Sequence, residues 1–286
     1  MAVEAYEYNL DQRLAELRRG DPAYQGHARA IWDAIIYTDE LKRLNGSKRL
    51  LDCGCGLGFL SEELTRLGDK VIGIDPSAKA IAMAKNEHRG AEFYTSSAES
   101  FSAVMEDRRI EPFDVAVLNM VLHSVDDATC TNILNGVRNC LKPTGAIILI
   151  VPTGYWFVQK LIEYAQDKGM DRKRGTEWVA AELNKPEVKV PMRIRGGEYY
   201  PHPLTVFPRG EDDYGRLLDK SGYGYLWNGY DTETHELTDS TKLTHMNMED
   251  YTSSQILRER DRSILVSFYF PEKYWRAWKK QYNYRV

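Results

Sequence analysis

The stretch LLDCGCGLGFLSEEL, residues 50–64, decides the fold. A short apolar run from Arg49 to Cys53 stops at Gly54, Gly56 and Gly58, and an amphipathic run from Phe59 to Leu67 follows. That order reads as strand, tight turn, helix. Glycine permits the turn and lets a ligand approach the backbone closely. The helix N-terminus beyond presents unpaired N–H groups, which suit a carboxylate or a phosphate. Val71 to Ile74 reads as a second buried strand, closed by Asp75, 21 residues after Gly54. An acidic side chain there can accept both hydroxyls of a ribose. Ser97-Ala98-Glu99, after a third strand, would face an adenine edge.

Outward from this stretch the alternation continues. Ser77 to Glu87 reads as a helix capped by Ser77, Ala91 to Thr95 and Asp114 to Leu118 as strands, Asp126 to Leu141 as a helix and Ala146 to Val151 as a fifth strand. Near-continuous apolar strands alternating with helices predict a doubly wound α/β core with a parallel sheet over residues 47–152. Residues 1–46 read as an N-terminal helical cap, with Leu14, Leu17, His27, Ile31, Ile35 and Leu41 at helical intervals and His27 as core or cleft lining. Beyond Pro152, helices are expected around 156–168, 176–183 and 211–221, with a Pro-, Gly- and Arg-rich loop at 185–210. Tyr223 to Tyr230 and Ser263 to Phe270 would form an antiparallel pair at the sheet edge, bringing the sheet to seven strands. The whole, 1–286, reads as one domain. Residues 153–208 would form a lid insertion after the fifth strand, and 209–286 the final helix and edge strands.

The 286 residues are 43% hydrophobic and 28% charged, with a formal net charge of −4. Such a composition belongs to a folded globular chain and excludes disorder, collagen and coiled coil. No window reaches the roughly eighteen apolar residues of a membrane span. The N-terminus has no greasy signal core, so a cytoplasmic protein without a membrane partner is expected. The acidic excess argues against bulk electrostatic binding to nucleic acid. Cys53, Cys55, Cys130 and Cys140 are too few for a disulfide scaffold and lack the second pair of a zinc site, so no metal is expected. Of 18 tyrosines, 13 lie beyond residue 150.

The glycine pattern has Phe59 where a dinucleotide fingerprint wants its third glycine. Asp52 would sit badly beside a pyrophosphate but suits the ammonium of a methionine moiety. DCGCGLG, GIDPS, FDVAVLNMVLHSV and LKPTGAIILI, over residues 48–152, resemble the successive motifs of class I S-adenosylmethionine-dependent methyltransferases. The resemblance implies a Rossmann-like sheet and S-adenosylmethionine as cofactor. It implies that Gly54, Cys55, Gly56 and Gly58 wrap the methionine part and that Asp75 binds the ribose. Pro76 would pack on the adenine, Ser97, Ala98 and Glu99 would contact its edge, and Asn119 and Met120 would lie under the sulfonium. Where many relatives carry Asp, this chain has Ser97. A weaker resemblance covers PHPLT, 201–205, and the helix ending at Gly222-Tyr223; there Pro203 replaces the family's Arg.

Methyl transfer from a sulfonium is a direct displacement, and aligning its partners is worth roughly 7–11 kcal/mol. His123, just past the fourth strand, and His202, in the lid, are the candidate catalytic bases. Tyr199, Tyr200 and Phe207 are candidate acceptor contacts, drawn from an aromatic group that includes Tyr214, Tyr223, Tyr225 and Trp227. Such rings hold a sulfonium or a flat substrate, or simply pack the lid. The basic run from Lys189 to Arg195, with Lys185 and Arg172-Lys173-Arg174, either meets an anionic acceptor or is a solvated face. The expected activity is methylation at O, N or C of a small molecule, aromatic compounds and secondary metabolites among them. Asn119-Met120-Val121-Leu122 lacks the two prolines of amino-methylating nucleic-acid enzymes, so no nucleic-acid partner is expected. Two alternatives stay open: methylation of a protein or peptide, such as at an α-amine, and a methyltransferase fold that binds the cofactor without transferring methyl. The residues do not specify the acceptor, the atom methylated or the oligomeric state.

Overall fold

The computed structural model describes residues 7, 9–18, 28, 31, 48–66, 70–152, 154–193, 198–209, 211–230, 237–239 and 264–271. Helix α1 (Leu10–Arg18) precedes the sheet, and Leu14, Leu17 and Ile31 are buried. His27, Ile35 and Leu41 lie outside the described residues.

Strands β1 (Arg49–Cys53), β2 (Lys70–Asp75), β3 (Glu92–Thr95), β4 (Phe113–Asn119) and β5 (Leu141–Pro152) run parallel in the order β3-β2-β1-β4-β5. Residues Val115–Leu118 and Ala146–Val151 have no exposed surface, as continuous apolar runs covered on both faces require. Helices α2 (Phe59–Arg66), α3 (Ala78–Glu87), α4 (Phe101–Arg108) and α5 (Asp127–Cys140) form the connections. Ser77 and Asp126 accept the N–H groups of Ala80 and Thr129, which stops the helices where a short oxygen-bearing side chain stands. The chain leaves β1 toward one side and β4 toward the other, so the loops after these two strands part and open a crevice at their carboxyl ends.

After β5 come α6 (Gly154–Asp167), α7 (Arg172–Leu183) and the antiparallel hairpin β6 (Val188–Val190) with β7 (Leu204–Val206). These elements share a core of Phe157, Leu161, Val179, Val188, Val190 and Val206, separate from the main one. The segment expected as a loop at 185–210 thus contains a hairpin. Three-residue strands offer no alternation to read from sequence.

Helix α8 (Glu211–Lys220) leads into β8 (Tyr223–Tyr230); β9 (Leu237–Asp239) and β10 (Ile264–Pro271) follow. β8 and β10 pair antiparallel, as expected, but β10 is inserted between β5 and β8, and β9 extends the far side. The sheet therefore has eight strands where the sequence indicated seven. Helix α4 was equally silent: only Phe101 and Met105 of its residues are buried, a four-residue spacing too sparse to stand out. Among the described residues, no helix is long and apolar enough to cross a membrane.

One contact sets the distance between α5 and the loop after β3. A Cβ at Gly136 would lie 2.5 Å from the Ala98 carbonyl oxygen and 2.7 Å from the Glu99 Cα, with backbone on the other side that cannot swing away. Gly136→Ala is expected to destabilise the fold by about 1–3 kcal/mol through overpacking. Urea unfolding checks this, and a midpoint equal to that of the parent protein would contradict it.

Candidate functional site

The crevice is lined by the loops after β1, β2, β3 and β4. Gly54 and Cys55 donate their N–H groups to the Ile74 carbonyl at 2.8 and 2.9 Å, which ties the first loop to the end of β2. Gly54, Gly56 and Gly58 have φ of 78°, 54° and 79°. At Gly54 a side chain would also have no room, since a Cβ would stand 2.5 Å from Val121 Cγ2 in the loop after β4. Asp75 closes the arrangement: one carboxylate oxygen accepts Gly56 N–H at 3.0 Å and the other accepts Ser77 N–H at 2.9 Å. Each oxygen keeps a further lone pair, which suits a diol. Burial raises the Asp75 pKa, and the two N–H groups work against that rise.

Asp52 is 1% exposed and accepts the Ser61 hydroxyl at 2.6 Å. Desolvation lifts its carboxyl to about 7, with the charge of Asp75 adding to the rise and the Ser61 hydrogen bond opposing it. A buried carboxyl poised near neutrality is a receptor for a cation. Pro76 is exposed at the mouth of the crevice, Ala98 is buried, Ser97 is half-buried and Glu99 is exposed. Ser97 shares a hydroxyl network with Ser96 and Ser100. The residues named for the cofactor thus gather along one sheet edge.

Past β4, Met120 takes a left-handed φ of 58°, a conformation that a side chain resists. Its N–H donates to the Ile150 carbonyl at 2.8 Å. The Asn119 Oδ1 is buried and has no partner among the described residues. A 3₁₀ turn, Leu122–Ser124, follows and carries His123, which is 2% exposed. Burial, with help from the Arg209 guanidinium, pushes the imidazole pKa down to about 4. The ring lies 6.1 Å from Phe157 of α6, and its Nδ1 has no partner among the described residues.

The other candidates separate. Phe207 donates its N–H to the His123 carbonyl at 2.7 Å and so stands beside the turn after β4. The His202 carbonyl accepts from Asn9 Nδ2 at 3.1 Å, which ties the insertion to the N-terminal segment. Tyr199 instead donates its hydroxyl to Asp167, which also pairs with Arg193, and meets Tyr164 edge-on at 5.2 Å. Tyr200 continues that segment, its N–H on the Met192 carbonyl. Tyr214 and Tyr223 belong to the main core at 1% exposure. The side chains of Tyr225 and Trp227 lie outside the described residues.

Sequence reading missed several supports. Ser61 carried no signal beyond its place on a helix. The N-terminal segment covers the glycine loop: Leu10, Leu14 and Leu17 pack with Leu57 and Ala80, and Glu7 accepts the Ser77 hydroxyl at 2.5 Å. His88, at the end of α3, donates from Nε2 to the Leu57 carbonyl at 3.1 Å. Arg209, 6% exposed, sits among the carbonyls of the turn after β4.

These groups fit S-adenosylmethionine. The strained glycine loop leaves its backbone open to close approach, Asp75 retains lone pairs for a diol, Asp52 can take the ammonium, and Asn119 offers an unpartnered oxygen. Gly54→Ala is expected to weaken S-adenosylhomocysteine binding at least about tenfold, because left-handed strain costs about 1–3 kcal/mol. Calorimetric titration decides it; an unchanged affinity would contradict the loop geometry. Asp52 also makes a pH prediction. Its folded pKa lies above its ordinary value of 3.8, so the stability it contributes is present below that pH and is lost as the pH rises toward about 7. Asp52→Asn should therefore gain on the parent by about 1.4 kcal/mol per pH unit across that window and no further above it. A pH series of urea melts without ligand reads this directly.

A family model described as a methyltransferase domain matches residues 24–185, more than half of the chain. The ubiquinone biosynthesis O-methyltransferase of Bradyrhizobium diazoefficiens is 33% identical over 153 residues, 50% of this chain and 56% of that protein. The protein of the same name from Nitrobacter winogradskyi is 41% identical over 98 residues, 34% of this chain and 36% of that protein. The matches thus span little more than half the length of these curated relatives at most. Among solved structures, an S-adenosylmethionine-dependent methyltransferase from Clostridium acetobutylicum superposes with a TM-score of 0.57 at 15% identity, over 93% of this chain and 96% of that one. Magnesium protoporphyrin IX methyltransferase of Synechocystis PCC 6803, solved with S-adenosylhomocysteine, gives 0.51 at 14% identity over 92% and 96%. At such identities the likeness concerns the fold alone. With the family model laid across the glycine loop, Asp75 and the β4 edge, the chain belongs to the class I S-adenosylmethionine-dependent methyltransferases.

Proposed function

We propose that the protein methylates a hydroxyl oxygen of a small aromatic molecule, acting as one domain over residues 1–286 in a reducing cytoplasm. The observation that carries this reading is His123: buried at the carboxyl end of β4, neutral, and with Nδ1 unpartnered among the described residues. When bound, S-adenosylmethionine supplies an electrophilic methyl on a sulfonium. Gly54, Gly56 and Gly58 would hold the backbone open to it, while Asp75 and Asp52 would meet its diol and its ammonium. Ser97, Glu99 and Pro76 would border its adenine, and Asn119 and Met120 would face its sulfonium end.

The neutral imidazole of His123 would accept a hydrogen bond from the acceptor hydroxyl and so orient its oxygen. A hydroxyl oxygen becomes far more acidic as its bond to carbon forms, so a weakly basic imidazole suffices to take the proton. The insertion, residues 153–208, acts as the lid, with Phe207 tied to the His123 carbonyl. Similarity to O-methyltransferases over half of the chain supports oxygen as the nucleophile. The three buried thiols Cys53, Cys130 and Cys140, each with its pKa raised by burial, suit a reducing compartment.

Purified protein with methyl-labelled cofactor is offered simple phenols and catechols beside short peptides with free amino termini. Label is expected in a phenol or catechol. Label confined to peptides would overturn the reading, and so would none in either. His123→Asn should lower turnover of a labelled phenol about 10²–10⁴-fold, the range of a lost general base, with S-adenosylhomocysteine affinity kept.

A further inference from the structure

The turn after β4 leaves three carbonyls in need of donors: Leu122, His123 and Val125. All three are taken by one short segment that follows β7. Phe207 N–H donates to the His123 carbonyl at 2.7 Å, Arg209 Nη1 to Leu122 at 2.8 Å and Arg209 Nη2 to Val125 at 2.8 Å. Arg209 Nε donates to Asp127 Oδ1 at 2.8 Å, at the start of α5. The guanidinium itself is clasped between the Phe207 and Tyr214 rings, 5.6 and 5.9 Å from their centres. The Cys130 thiol reaches Leu122 at 3.4 Å and Val125 at 3.8 Å, a weak supplement.

This is an unusual place for a cation. Arg209 is 6% exposed, yet its carboxylate partner, Asp127, has a side chain 76% exposed and therefore screened by water. Burying a charge against such a partner is weak as a stabilising device. What the guanidinium supplies is geometry: a rigid planar fork whose donors reach the carbonyls on either side of a two-residue stretch and a third group beyond them. The residues bracketed in this way are His123 and Ser124, and the His123 carbonyl is itself held by Phe207 N–H.

We infer that Arg209 is a positioning residue for methyl transfer: its fork, together with Phe207 N–H, fixes the turn that presents His123 and couples that turn to the chain leaving the insertion. The inference rests on the reading of His123 as the group facing the acceptor. It adds a second consequence, since a cation beside the imidazole opposes its protonation. Asp126, which caps α5, Asp127 and Cys130 of α5 and Tyr214 of α8 also surround the guanidinium, and the two aspartates, largely exposed, offset little of its field.

Two variants separate the roles. Arg209→Lys keeps the charge and loses the fork; Arg209→Met loses both. Imidazole NMR titration follows His123, assigned with His123→Asn, and calorimetry follows S-adenosylhomocysteine binding as a control for folding. In both variants the His123 resonances should shift or broaden, and turnover of the labelled phenol should fall about 100-fold, the scale of an ångström's misplacement, with S-adenosylhomocysteine affinity within about threefold. In Arg209→Met alone, the His123 midpoint should move up from about 4 toward its ordinary 6.5. Unchanged His123 resonances in Arg209→Lys, or turnover equal to that of the parent, would overturn the assignment. Should Arg209→Met fail to bind S-adenosylhomocysteine, Arg209→Lys decides alone. The His123 spectra need no acceptor, so loss of the acceptor reading and loss of the Arg209 role are distinguishable.

Discussion

The carboxylate of Asp75 is the constraint on which the cofactor edge depends. It joins the backbone of the loop after β1, through Gly56 N–H, to the backbone of the loop after β2, through Ser77 N–H. Both loops are therefore held by one buried charge at 6% exposure. The consequences run outward. Ser77, pinned by its N–H, turns its hydroxyl to cap α3 and to reach Glu7, so the N-terminal segment is seated by the same group. Leu57, in the held loop, then becomes the surface on which Leu10, Leu14 and Leu17 pack. Charge-assisted bonds to backbone N–H groups are among the stronger ones, and these are shielded from water.

The opposite wall is organised by a different device. There the turn after β4 cannot satisfy its own carbonyls, and donors come from residues more than 80 positions later in the chain. The two walls meet where Val121 packs against Gly54, which explains why the first glycine of the loop admits no side chain even apart from its φ. One wall is thus built around carboxylates and the other around a guanidinium and a neutral imidazole. In the proposed reading, an ammonium and a diol match the first and a hydroxyl acceptor the second.

Legibility in the sequence followed the strength of local signals. The glycines, Asp75, the buried strands and the Ser77 and Asp126 caps were readable because each acts on its own neighbours. Helix α4, the β6–β7 hairpin and β9 were not, because two buried residues or three-residue strands leave no periodicity. Arg209 lay in a run of Pro, Gly and Arg where a buried guanidinium looks like any exposed one. The skew of tyrosines past residue 150 proved to have mixed causes. Tyr214 and Tyr223 are core, with the Tyr223 hydroxyl on the Leu134 carbonyl, whereas Tyr164 and Tyr199 meet edge to face within the insertion.

By itself, the sequence determined the parallel α/β core, the order of its loops and the acidic and glycine positions of the cofactor edge. Strand and turn preferences act over a few residues, so their pattern survives without coordinates. Only the tertiary structure decided that Asp52 is a near-neutral buried carboxyl, that His123 is held uncharged, and that Arg209 is what holds its turn. Desolvation and the pairing of carbonyls with donors depend on which distant segments come together, and residue order does not encode those distances directly.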